Sequence, residues 1–458
     1  MQFLNKIIVS ISLLSTLSAF ASDATAKDVQ EIRVYLPTTN SLEPLYFGKV
    51  TKSGEGIDAK YLTLLEDILA YDFNYNGSTK IMPLSAEKEA VLEKKSLSAA
   101  FNPMVWRNFG AAHVVQAKIE NKMLSLTVFS SETGSLKQFA DIPLTGIIGK
   151  DRHQIHVAAD AVYKALFGTD GIASTRILYS VKQKPSNKRD WISEIWSCDW
   201  DGANPKQITK EGSYSVTPVF IPPHSKFAND RFLYVSYKSG QPKIFLASLK
   251  DGVGKRLIDL KGHQMLPAIS PKRDKIAFIS DAGGSVDLFL QEFHPETGEV
   301  GKPVQLFSFP KATQASPTFS PDGSRVAFVS DKDGSPRIYI IPARFQGKRA
   351  TPILISKQNQ ENSCPAWSPD GKKVAYSAKT NGVRQIWIYD LETKEEKQLT
   401  EGPGIKENPS WAADSNHIVF DATDSLSSDL YIVNLNQPEA IKISQGPGVK
   451  HYPTWGNH

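Results

Sequence analysis

"SPTFSPDGSRVAFVS" (residues 316–330) returns 48 positions later as "CPAWSPDGKKVAYSA" (364–378). Each copy sets a proline and an aromatic residue ahead of a P-D-G turn, then runs into an apolar stretch. Pro presets φ for the turn and Gly accepts a positive φ, so P-D-G joins two antiparallel strands tightly. Weaker copies of the same sentence begin at Pro218, Pro267, Pro409 and Pro453, giving successive intervals of 49, 50, 48, 44 and 44 residues. After the first five prolines come "RFLYVS", "KIAFIS", "RVAFVS", "KVAYSA" and "HIVFDA". A sixth such strand, "RILYSV" (176–181), has no proline segment before it, and a sixth proline segment, "YPTWGNH" (452–458), has no strand after it. The two halves complete each other, and the array closes into a ring.

Each unit also holds a third apolar run ("RIYII", "QIWIYD", "DLYIVN") and a short fourth ("KQIT", "KQLT", "IKIS"). Four short strands per unit, six times over, predict an all-β six-bladed β-propeller across 171–458. Closing the ring removes the strand edges that an open array would expose.

The rest of the chain follows other rules. Lys6, the 14-residue apolar run "IIVSISLLSTLSAF" and a small-residue end at Ala21 predict a cleaved export signal over 1–21. The run is too short and too interrupted by serine to span a bilayer, and no cysteine follows it for lipid attachment. Residues 22–170 lack the repeat. "EIRVYL" (31–36) and "MLSLTVF" (123–129) alternate like half-buried strands, while Tyr61, Leu64, Leu65, Ile68 and Leu69 share one helical face. A second helical stretch carries Ile155, Ala159, Val162 and Leu166 and stops at Gly168. A small α/β domain is expected there, joined to the propeller by "GTDGIAST" (168–175).

With 53 basic and 48 acidic residues, the chain carries +5, or +4 without Lys6, and no basic block. That balance gives no case for nucleic acid. Cys198 and Cys364 fall in different blades, beyond the ~7 Å Cα limit of a disulfide, and read as free thiols. The acidic pairs Asp199/Asp201 and Asp331/Asp333 fall at hairpin turns and lack the ligand series of a calcium loop. His153 and His156, with Asp160 a turn beyond, lack a further zinc-spaced ligand and read as interdomain or surface packing. No G-x-S-x-G elbow and no Gly-rich phosphate loop occurs. The sequence calls for no catalytic residue, cofactor or metal.

A propeller exposes its ring mouth. The residues just before the anchor prolines enter the innermost strands and should surround one end of the channel. They are Val216 and Thr217, Leu266, Ala315 and Ser316, Ser363, Glu407 and Asn408, and Lys450, His451 and Tyr452; His263 and Gln264 share the loop with Leu266. This mixed set suits a peptide or protein segment. The alternative is a secreted propeller enzyme, or a glycan or peptide binder that uses the channel as a pocket. His263, His451 and Tyr452 are the residues that point that way.

The junction carries the most specific signal. "RHQIHVAADAVYKALFGTDGIASTRILYSV" resembles the TolB family's R-x-x-A-H-x-x-A-D helix and following L-x-G-x-x-G through Arg152, His156, Asp160, Leu166, Gly168 and Gly171. "WRNFGAAHVVQAKI" is similar to that family's W-x-x-x-G-A stretch, whereas "PLYFGKV" departs from its usual P-F step. TolB is the periplasmic component of the Tol–Pal system. The resemblance implies a monomeric periplasmic scaffold, not inserted in the membrane, that serves outer-membrane invagination at division and envelope integrity. It implies that the mouth, with His263, receives the peptidoglycan-associated lipoprotein Pal. It also implies that the segment bearing Asp28, Val29, Glu31 and Arg33 docks on TolA.

Overall fold

The computed structural model describes residues 32–35, 41–184, 190–223, 230–296, 298–345, 350–425 and 427–456. The expected signal segment and Asp28, Val29 and Glu31 lie outside the described residues.

The α/β domain is a mixed sheet. β2 (Glu43–Phe47) lies parallel between β4 (Thr79–Ile81) and β5 (His113–Glu120), after which β6 (Met123–Ser130) and β7 (Leu136–Pro143) continue antiparallel. β1 (Arg33–Val34) is not part of this sheet, and β3 (Thr51–Ser53) pairs beside β2 on β5. Helices α1 (Ala59–Tyr75) and α2 (Ile148–Phe167) share a core cluster with these strands. Asp58 caps α1 by accepting the Tyr61 N–H at 2.7 Å, satisfying a donor that the first turn leaves unpaired. α2 ends at Gly168 in a left-handed conformation, φ 77°, as the sequence predicts.

Six blades follow, each built on four strands, with an added outer piece, Glu299–Val300, in blade three. Blade one contains Arg176–Gln183, Ile192–Asp199 and Lys206–Gln207, and its innermost strand is Val449–Trp455 from the far end of the chain. Blades two to six begin with the innermost strands Ser215–Phe220, Gln264–Ile269, Gln314–Phe319, Ser363–Trp367 and Ile405–Trp411. Each innermost strand touches its neighbours on both sides, so the ring is closed. In blade one, Trp455 is buried and donates its indole N–H to the Thr175 hydroxyl at 2.8 Å.

The stretch "EIRVYL" corrects the expectation of a strand inside the α/β domain. β1 instead lies antiparallel between Thr400–Glu401 of blade five and the outer strand Gln437–Lys442 of blade six. Its alternation buries Ile32 and Val34 in the seam between those blades, where two strand edges offer hydrogen-bonding groups.

The two domains share one continuous apolar core running from Leu65 and Ile155 to Tyr179, Trp200 and Trp455. Polar contacts add to it: His417 Nε2 lies 2.8 Å from the Tyr75 carbonyl, and Asn436 donates to the Gly77 carbonyl at 2.7 Å. These contacts fall on the hairpin end of blade six. The α/β domain therefore sits at the opposite end of the propeller from the starts of the innermost strands.

Candidate functional site

All six innermost strands break their ladder at the same place. The residue before each anchor proline is left-handed: Thr217 (φ 48°), Leu266 (51°), Ser316 (46°), Cys364 (50°), Asn408 (54°) and Tyr452 (55°). At that point two residues oppose one on the second strand, a β-bulge. The single opposing residue is a buried aromatic in every blade: Tyr234, Phe278, Phe328, Tyr376, Phe420 and Tyr179. A left-handed non-glycine residue costs about 1–2 kcal/mol. Six such positions persist because the flanking ladder and the aromatic beneath hold them.

One position earlier on each strand the ring becomes uneven. Val216, Met265 and Ala315 of blades two to four are buried and apolar. Ser363, Glu407 and His451 of blades five, six and one are polar and half-buried. Arg384 ties blades five and six together: its Nε lies 3.2 Å from Glu407, and it donates to the Ser363 hydroxyl at 3.0 Å and the Glu361 carbonyl at 2.7 Å. Asp421 does the same for blades six and one, accepting from Asn408 at 2.8 Å and from the Tyr452 N–H at 3.1 Å. His451 Nδ1 stands 3.1 Å from its other oxygen. Burial pushes the Glu407 carboxyl above its ordinary range; Arg384 opposes the shift and Asp421 adds to it. Across the ring, His263 is partly exposed, with Nδ1 2.7 Å from Asp281, whose other oxygen accepts the His263 N–H at 2.7 Å.

Several residues expected at the mouth are placed differently. Gln264 and Lys450 are buried, not presented at the surface. The Gln264 amide donates to the Ile258 and Leu260 carbonyls, and Lys450 Nζ to the Gly446 carbonyl and Asp429. They tie down the loops that enter the innermost strands. Ala315 is buried as well, while Leu266, Ser316, Ser363, Glu407, Asn408 and His451 remain half-buried at the mouth. Arg33, expected in the N-terminal docking segment and not at the mouth, lies in the seam between blades five and six. Arg384, Asp421 and Asp281 were missed by sequence reasoning because they lie on second and third strands or just beyond. A usable signal existed for Asp421. In its row the other blades carry Val235, Ile279, Val329, Ser377 and Ser180.

The Cys364 thiol at the mouth is not an activated nucleophile. Burial pushes the Cys364 thiol up to about 12, and the thiolate is the reactive form. Cys198 and Cys364 are both free.

The family described as the TolB beta propeller domain matches residues 163–353 and 344–458. The chain belongs to the TolB family. It is 49% identical over 385 residues to a TolB homolog of Protochlamydia amoebophila (strain UWE25), covering 83% of this chain and 82% of that one. It is 37% identical over 378 residues to a TolB homolog of Chlamydia felis (strain Fe/C-56), covering 82% of each. In fold it is similar to the crystal structure of TolB from Acinetobacter baumannii, with a TM-score of 0.72 at 20% identity, over 93% of this chain and 99% of that one. The six-bladed ring and the small α/β domain are thus the architecture of a TolB-family protein. Among the described residues, no helix is long and apolar enough to cross a membrane.

Proposed function

We propose that this TolB-family chain is a periplasmic, non-catalytic scaffold of the Tol–Pal system. Its propeller mouth receives a segment of the lipoprotein Pal, and the stretch around Asp28, Val29, Glu31 and Arg33 docks on TolA. In this role it supports outer-membrane invagination at division and envelope integrity. One observation carries the reading: a rigid ring of bulges holds His263 on one side and the Arg384–Glu407 and Asp421–His451 pairs on the other. Such partly buried, prepaid polar geometry recognises a protein segment with little ordering cost on the scaffold's side.

The test is calorimetric titration of the chain from Ser22 with the soluble domain of Pal from the same genome, repeated with His263→Ala. Saturable binding, weakened at least tenfold by the substitution, is expected. That corresponds to about 1.4 kcal/mol. Absence of binding removes the Pal assignment and returns the channel to a glycan or peptide ligand.

A further inference from the structure

The interdomain junction holds a second cluster, remote from the mouth. His156 of α2 is 1% exposed, and its Nδ1 lies 2.7 and 3.0 Å from the two oxygens of Asp72 on α1. The Trp200 indole donates to the same carboxylate at 2.9 Å and holds it in place. Nε2, the other ring nitrogen, has no hydrogen-bond partner and faces Asp201 Oδ2 at 3.7 Å. Ligand atoms of His156, Asp199 and Asp201 all lie within 4.8 Å of one another. Asp199 and Asp201 are held by their own hairpin: Asn204 donates to Asp199 at 2.7 Å and the Ala203 N–H to Asp201 at 3.0 Å. Gly202 seats that hairpin against blade six, where a Cβ would stand 1.7 Å from the Ile443 carbonyl oxygen.

A carboxylate on one imidazole nitrogen, with the other nitrogen aimed at two further carboxylates, is the arrangement that orients a histidine toward a metal ion. Here Asp72 takes the outer position. With Nδ1 directed at Asp72, Nε2 meets Asp201 either as the second N–H of an imidazolium or as a lone pair turned toward a cation held between them. The cation present is Arg152, paired to Asp201, with its Nε 3.9 Å from Asp199 and lacking a hydrogen bond. Its side chain is 20% exposed, so the guanidinium has a way out to solvent.

We propose that His156, Asp199 and Asp201 form a divalent transition-metal site, of the Zn²⁺ class, in which the ion replaces the Arg152 guanidinium. One nitrogen and two carboxylate oxygens are ligands such an ion accepts, with a fourth position left to solvent. The distances call for a contraction of about an ångström on loading, since Zn–N and Zn–O bonds are ~2.0–2.2 Å. Because His156 belongs to the α/β domain and both aspartates to blade one, the bound ion would staple the two domains together.

The test is titration of the full tag-free chain with zinc chloride, read by calorimetry and by metal content after dialysis. Wild type is expected to take up one ion per chain with a rise in melting temperature. Arg152→Met, which removes the competing cation, should bind at least tenfold more tightly. Asp72→Asn should weaken binding roughly 10–100-fold, as for other outer partners of ligand histidines. Asp199→Asn leaves the Arg152–Asp201 pair intact and should also lose affinity, which covers the case in which His156→Ala fails to fold. Failure of both wild type and Arg152→Met to bind zinc stoichiometrically would overturn the site. So would uptake that survives both His156→Ala and Asp199→Asn.

Discussion

The mouth divides into two arcs built on the same backbone. In blades two to four the residues entering the bulge are Val216, Met265 and Ala315; in blades five, six and one they are Ser363, Glu407 and His451. The left-handed residue, the proline and the buried aromatic recur in both arcs, so these belong to ring closure. At the position before the left-handed residue, charge is found in only one arc, while His263 and Asp281 carry it in a loop of the other. Side chains that break the repeat are therefore where recognition is to be sought, and those that keep it are where stability lies.

The largest expected effects test the shared part. Phe278→Ala in the apolar arc and Phe420→Ala in the charged arc should each cost about 3–5 kcal/mol in urea unfolding, the usual range for a buried aromatic. A clear inequality between them would sink the idea of equivalent bulges. Next comes Asp421→Ala, which strands the Asn408 amide and the Tyr452 N–H. A loss of about 2–3 kcal/mol follows if those donors stay buried without an acceptor. A neutral result would mean that the charged arc is solvated and not a fixed network.

A pH comparison sharpens the same point. Burial raises the Glu407 carboxyl above its ordinary value of 4.5, against the pull of Arg384. The protonated form is thus favoured by folding. The contribution is fully present below pH 4.5 and is lost as pH rises through the folded value. Glu407→Gln should therefore match wild type near pH 4 and gain on it toward pH 7, measured as the difference in urea midpoint. A difference that stays constant with pH would contradict the burial argument. The smallest effect concerns backbone strain. Ser316→Gly should gain about 0.5 kcal/mol, because the relief of a left-handed residue is partly cancelled by glycine's unfolded-state entropy. Asn408→Gly should lose stability instead, because it also removes the hydrogen bonds to Asp421 and Cys364.

The propeller was legible because its signals are local and repeated. P-D-G turns, anchor prolines and alternating strands each follow from the chemistry of a few neighbouring residues. The bulges were not legible, since a proline ordinarily steers its predecessor away from helical φ/ψ, and only the tertiary ladder forces the left-handed choice. Counting back from the prolines leads to the residues that enter the innermost strands. That count cannot say which side chain faces the opening: Gln264 and Lys450 turn inward to satisfy loop carbonyls, which polarity alone does not disclose. β1 was read as a strand correctly, yet its partners lie more than 360 residues away, and alternation carries no information about which edge a strand will join.

Closure of blade one has a consequence for the order of events in the life of the chain. Ser180 meets the His451 carbonyl across 271 residues, and the strand that seals the ring ends at Trp455. No length of nascent chain that lacks those residues can complete the circle, however well its other blades are formed. Pairing over such a separation is intrinsically slow. The ring thus closes only once Val449–Trp455 is available to pair with Arg176–Gln183.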